Sequence, residues 1–205
     1  MMKLFFAIIF LSASLISKAG IVSVADMEKD TLPYYEIPAY PDSFSAELVV
    51  ARMIDGLGFR FYWATEGLRP EDLAFRPSPE ARSTEETIGH ILELCNFIMT
   101  TVQQAPNTLS GEEVSALSFE AKRKQTLESL KTASDLLKIG SGTLADYPLV
   151  FQNGDQRNEF PFWNMLNGPI ADALWHTGQV VSFRRSSGNP FDSRASVFTG
   201  RFGER

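Results

Sequence analysis

Residues 171–185 read ADALWHTGQVVSFRR, an apolar run that carries an acid and one of the chain's 2 histidines. On a helix, Asp172, His176, Gln179 and Phe183 fall at successive spacings of four, three and four and share one stripe. A carboxylate and an imidazole one turn apart can both reach a single ion held between helices, a recurrent way of building a metal site. Imidazole nitrogen and carboxylate oxygen suit divalent Zn, Ni, Mn or Fe, and two ligands do not choose among these ions. The pair also has a plainer reading. An acid in the first turn of a helix complements the macrodipole, and an imidazole bonded to Asp172 would satisfy both groups.

The second histidine, His90, lies on a different apolar segment, with Glu86 four residues before it and Glu93 three residues after. If its helix faces the one carrying Asp172, then His90, Asp172 and His176 form a His₂–carboxylate set with positions left open for water or substrate, as in a catalytic site. In that reading Gln179 contacts a ligand or the substrate, and Glu93 or Glu86 carries protons. In the plainer one, His90 is a surface residue between two glutamates.

Other candidates are weaker. Arg184 and Arg185 could hold an anion, yet cations near a helix C-terminus complement its dipole without any ligand. Trp63, with Glu66 beside it, and Trp163 and Trp175 read as core positions, the tryptophans as aromatics with their edges at polar partners. Cys95 is the sole cysteine; it excludes an internal disulfide and falls at a core-facing helical position, so it reads as a buried apolar thiol. No G-x-S-x-G, P-loop, G-x-G-x-x-G or paired CxxC occurs, which leaves nucleophilic-serine, nucleotide-dependent and structural-zinc mechanisms without support.

Four helical segments must position these residues. The first starts near Asp42 or Ser43 and carries Val50, Ile54, Leu57, Phe61 and Ala64 on one face, with Gly56 and Gly58 as points of close approach. The second opens with a capping box, Ser83 to Glu86, and its apolar face runs through Ile88, Ile91, Leu92, Cys95, Ile98 and Val102. The third spans about 118–137, with Leu127, Leu130 and Leu137 among its apolar positions. The fourth runs from about Pro161 to Ser187 and stops at Gly188-Asn189-Pro190; Pro169 either kinks it or marks where the main helix starts. Residues 147–160, with Asn153-Gly154, suggest a short hairpin or ordered loop before this last helix. The pattern predicts an all-α four-helix bundle over 43–190, preceded by a proline-rich extended arm at 26–42 and followed by a tail at 191–205.

Length and charge narrow the class further. The chain of 205 residues is 44% hydrophobic and 21% charged, fitting one globular domain with a sizeable core. A formal charge of −6 without a basic run argues against a nucleic-acid partner. Lys3 followed by the apolar run Leu4–Ile16 has the form of a secretory signal peptide, with cleavage after Ala19 or, preferably, Ala25. The run is too short to span a bilayer comfortably, so a secreted or periplasmic protein with no membrane span after cleavage is expected.

The stretch PFWNMLNGPIADALWHTGQVVSFRRSSGNP resembles the last helix of the DinB-like (DinB/YfiT) superfamily, whose mark is H-x-G-Q followed by an arginine and a glycine stop. Here these are His176-Thr177-Gly178-Gln179, then Arg184, Arg185 and Gly188. FYWATEGLRPEDLAFRPSPEARSTEETIGHILEL is similar to the passage between that family's first two helices, with its histidine at His90, and the likeness covers roughly 44–190. The resemblance implies an up-up-down-down bundle, frequently a homodimer, with a divalent metal on three histidines, one from the second helix and two from the last spaced H-x-x-x-H. His90 and His176 match two of these positions. The third is Asp172, which implies either a His₂Asp site or a site without metal. Members resemble metal-dependent thiol transferases, isomerases or hydrolases, so a small-molecule substrate is implied.

Overall fold

The computed structural model describes residues 32–108 and 111–203. The expected signal peptide, 1–25, and the first part of the expected arm lie outside the described residues.

The four long helices are α1 (Ala46–Thr65), α3 (Thr84–Val102), α5 (Phe119–Ile139) and α7 (Ala171–Ser186), joined by the short α2 (Pro70–Ala74), α4 (Gly111–Ser115) and α6 (Trp163–Met165). Each of the first three long helices begins where a serine can cap it. Ser45, Ser83 and Ser118 accept the backbone N–H of Leu48, Glu86 and Ala121, satisfying donors that the first turn cannot. At Ser83 the box closes in both directions, since the Glu86 carboxylate takes the Ser83 N–H at 2.8 Å.

α1 packs on α5 and α7, and α3 packs on the same two helices. Ile54, Leu57, Phe61, Ile91, Cys95, Ile98, Leu127, Leu130 and Val180 are fully buried where the four meet. The second half of α1 is buried on almost every side, because residues 34–37 and the tail cover the face the other helices leave open.

The all-α four-helix bundle is not the fold. Two antiparallel two-stranded sheets are built in: β1 (Leu149–Asn153) with β2 (Gln156–Phe160), and β3 (Ala195–Ser196) with β4 (Arg201–Phe202). The first is a hairpin whose two-residue loop is Gly154-Asp155, and Gly154 takes φ +57°, as a II′ turn requires of its first central residue. β2 is exposed along its length, so no hydrophobic period marks it. β3 and β4 are only two residues each and follow from contacts with residues 36–37, which a linear pattern does not display. The molecule is mostly helical with small β elements at its edges.

The last helix is broken at Pro169. Residues 166–170 form a π-type turn with Gly168 at φ −91°, ψ −106°, and the regular helix α7 begins after Pro169. Among the described residues no helix is long and apolar enough to cross a membrane.

Candidate metal centre

α7 carries three adjacent stripes, because successive residues on a helix are turned by about 100°. Ala173, Thr177, Val180 and Arg184 form the buried one. Asp172, His176, Gln179 and Phe183 lie one residue earlier and therefore at the edge of the packed face, toward α3. Trp175 points out, 72% exposed, as does Trp163 at 74%, so these two tryptophans are not core aromatics; Trp63, 7% exposed, is one.

α3 brings His90 to the same edge. His90 Nε2 stands 3.6 Å from Asp172 Oδ2, and His176 Nε2 stands 3.3 Å from Asp172 Oδ1. The two rings meet edge to face, 4.8 Å between centroids. One ligand atom from each of the three residues lies within 4.8 Å of the other two. Metal–ligand bonds of about 2.0–2.2 Å put two donors on one tetrahedral ion about 3.4 Å apart, so the widest separation in the set must close by about 1.5 Å to hold an ion. The Asp172 side chain is 42% exposed and His90 25%, which leaves them room to close; His176, at 14%, is the fixed member.

The outer nitrogens decide the character of the cluster. His176 Nδ1 lies 2.8 Å from Gln179 Oε1, and an amide oxygen only accepts, so Nδ1 carries the proton. His90 Nδ1 lies 3.3 Å from Glu93 Oε2, a carboxylate oxygen that likewise accepts. With Nδ1 donating outward, a neutral imidazole at either position turns its Nε2 lone pair toward the Asp172 carboxylate. A neutral His176 therefore does not donate to Asp172. Three electron-rich atoms converge, and the positive charge they require comes either from protons on both rings or from one cation. An Nδ1–H held by a carboxylate or amide oxygen is the usual support of a metal-bound histidine.

Gln179 and Glu93 thus sit on the imidazoles and orient them. Glu86 is committed elsewhere: Arg76 at 2.7 Å and the Ser83 N–H hold its carboxyl down to about 2, ionised and tied to the cap. Arg184 binds no anion. It is buried and donates to the carbonyls of Trp63, Ala64 and Glu66, closing the C-terminus of α1.

Two clefts open beside the cluster. One, of about 590 Å³, is lined by His90, Glu93, Arg82 and Lys122 among others. The other, of about 340 Å³, is lined by His176, Gln179, Thr87, Phe183 and again Arg82. In the sequence Arg82 is no more than the residue before the Ser83 cap. Its place on both clefts depends on how α3 and α7 pack, and no motif around it signals this.

Compared with known proteins, the chain matches no family model, no curated protein and no solved structure.

Proposed function

We propose that this is an exported, divalent-metal-dependent enzyme of hydrolase or transferase type, with His90, Asp172 and His176 as the protein ligands. The observation that carries the reading is the convergence of two imidazole lone pairs and a carboxylate, each imidazole already held at Nδ1 by an acceptor. The likeness of the His176–Gln179 stretch to the DinB-like superfamily supports it, with Asp172 standing in for a histidine.

A bound divalent ion supplies Lewis acidity, polarising a substrate carbonyl or acidifying water or a thiol. The chain's own residues supply the rest. Gln179 and Glu93 fix the ring planes and tautomers, so the ligand geometry is set in advance. The exposed side of Asp172 leaves the approach to the cluster open. Arg82, on both clefts, offers a guanidinium to an anionic group of the substrate.

Metal analysis of the full chain, purified without chelator or affinity-tag metal, tests the reading. Zn, Ni or Mn near one equivalent is expected. Added metal at about a hundred times its Kd should stabilise by about 2.7 kcal/mol, a rise in melting temperature of roughly 5–10 °C, absent in His176→Ala. Trace metal together with an unchanged melting temperature would overturn the proposal in favour of a metal-free ligand-binding domain whose cluster is balanced by protons.

A further inference from the structure

The stripe of α7 on the other side of its buried face, Leu174, Gly178, Val181 and Arg185, borders a second groove against α1. The two helices run parallel there, since Arg184 reaches the carbonyls that end α1. The groove has a volume of about 770 Å³, within the range of small-molecule sites.

Three arginines line it and no acid does. Arg52 and Arg60 are half-buried on one stripe of α1, and Arg185 faces them from α7. Among the described residues none of the three forms an ion pair. Arg52 donates to the Pro38 carbonyl at 2.7 Å and lies over the Tyr40 ring; Arg60 donates to the Gly56 carbonyl at 2.9 Å; Arg185 sits 5.7 Å from the Phe191 ring centre. A guanidinium has five N–H donors, so most of this capacity is unused. Acids outnumber bases in this chain, 25 to 19, yet none lines this groove. Between the arginines the lining is mostly apolar, Met53, Leu174, Val181, Phe191 and Val197, and the hydroxyls of Thr177 and Ser182 are spent on the Ala173 and Gly178 carbonyls of their own helix.

We propose that this groove binds a single-chain amphipathic anion, a carboxylate or phosphate on an aliphatic body. The guanidiniums take the headgroup, by paired N–H donors where geometry allows. The apolar strip takes the chain. The site lies across α7 from the histidine cluster and is independent of metal.

Gly178 provides a direct test. A Cβ there meets nothing within 4 Å, so the backbone accepts a side chain at this lining position, Gly178→Leu takes up groove space, and replacing a mid-helix glycine favours the helix. Isothermal titration of the full chain with dodecanoate and dodecyl phosphate, each below its micelle concentration and with EDTA present, should show saturable binding. Dodecanol and inorganic phosphate should bind at least about tenfold more weakly, and Arg60→Gln/Arg185→Gln should weaken the anions by about tenfold or more. Gly178→Leu should abolish binding with its helical circular dichroism unchanged. Binding of only one of the two anions supports the site and identifies the headgroup. No binding by the wild type, dodecanol binding equally well, or both variants binding as the wild type does would overturn the proposal. It would also be overturned by a wild-type dimer that Gly178→Leu dissociates and that takes no anion, which would mean that a second copy covers this face.

Discussion

Gln179 and Glu93 do their work at one remove, by holding the Nδ1 proton of an imidazole and so turning its Nε2 toward Asp172. Removing such a partner from a ligating histidine ordinarily weakens metal affinity about 10–100-fold. With the proposed metal on the cluster, Gln179→Ala should show a loss of that size in chelator-competition titrations, while Gln179→Glu, which still accepts the proton, should largely restore affinity. Equal affinity in all three proteins would mean that Gln179 does not orient a ligand. Cys95 is the contrasting case at this scale. It is fully buried, and burial pushes its thiol well above the ordinary range, so it holds no thiolate near neutral pH. It should resist a thiol reagent in the native protein and react in one equivalent once unfolded; fast native labelling would contradict its place in the core.

At the scale of elements, the ends of α1 and α7 are joined by polar groups. Asp72, from α2, is fully buried and accepts Arg69 through both oxygens, the Ser187 hydroxyl at 2.6 Å and the Asn189 amide at 2.6 Å. Arg69 first, then these hydrogen bonds, hold its carboxyl well below the usual carboxylate range. A depressed folded-state pKa contributes stability that is fully present above the unfolded value of about 3.9 and fades as pH falls through the lower folded value. Asp72→Asn should therefore lose about 2–4 kcal/mol near neutral pH, and its denaturation curve should approach the wild type's as pH drops below about 4. A gap between the two that stays constant with acidification would show that the charge of Asp72 is not what holds these ends. Glu86 shares the direction of shift, but its exposed pair with Arg76 is screened by solvent and adds little.

At the scale of the whole molecule, residues 32–37 and the tail complete the core of α1. The Tyr34 hydroxyl donates to buried Asp55, which also receives Lys138 from α5 at 2.7 Å. The Ile37 N–H donates to the Gly200 carbonyl, Glu36 pairs with Arg201, and Phe202 stacks on Trp63 with ring centres 4.4 Å apart. Gly58 makes room for this cover. A Cβ there would come within 2.4 Å of the Tyr34 ring, so the close approach is by the arm and not by another helix. Gly58→Ala should displace Tyr34, destabilise by about 1–3 kcal/mol and speed proteolysis of the arm. Wild-type stability and protease resistance in that variant would show that the arm is not part of the core.

The sequence by itself carried the periodic and local parts of this molecule. The long helices, the Ser83–Glu86 box, the break at Pro169 and the turn glycine of the hairpin rest on contacts within a few residues, and the apolar face of α3 with Cys95 rests on a local period, so short-range spacing displays them directly. His90, Asp172 and His176 were legible for the same reason, as polar groups in apolar runs. Their meeting was not, because it depends on α3 and α7 packing edge to edge. Only the tertiary structure decided that both imidazoles commit their outer nitrogens, that Arg184 closes the end of α1, that Trp163 and Trp175 face solvent, and that strands form at the margins of a helical core. Each of these is set by partners far apart in the chain. Periodicity shows which face of a helix is apolar, but it carries no record of what that face meets.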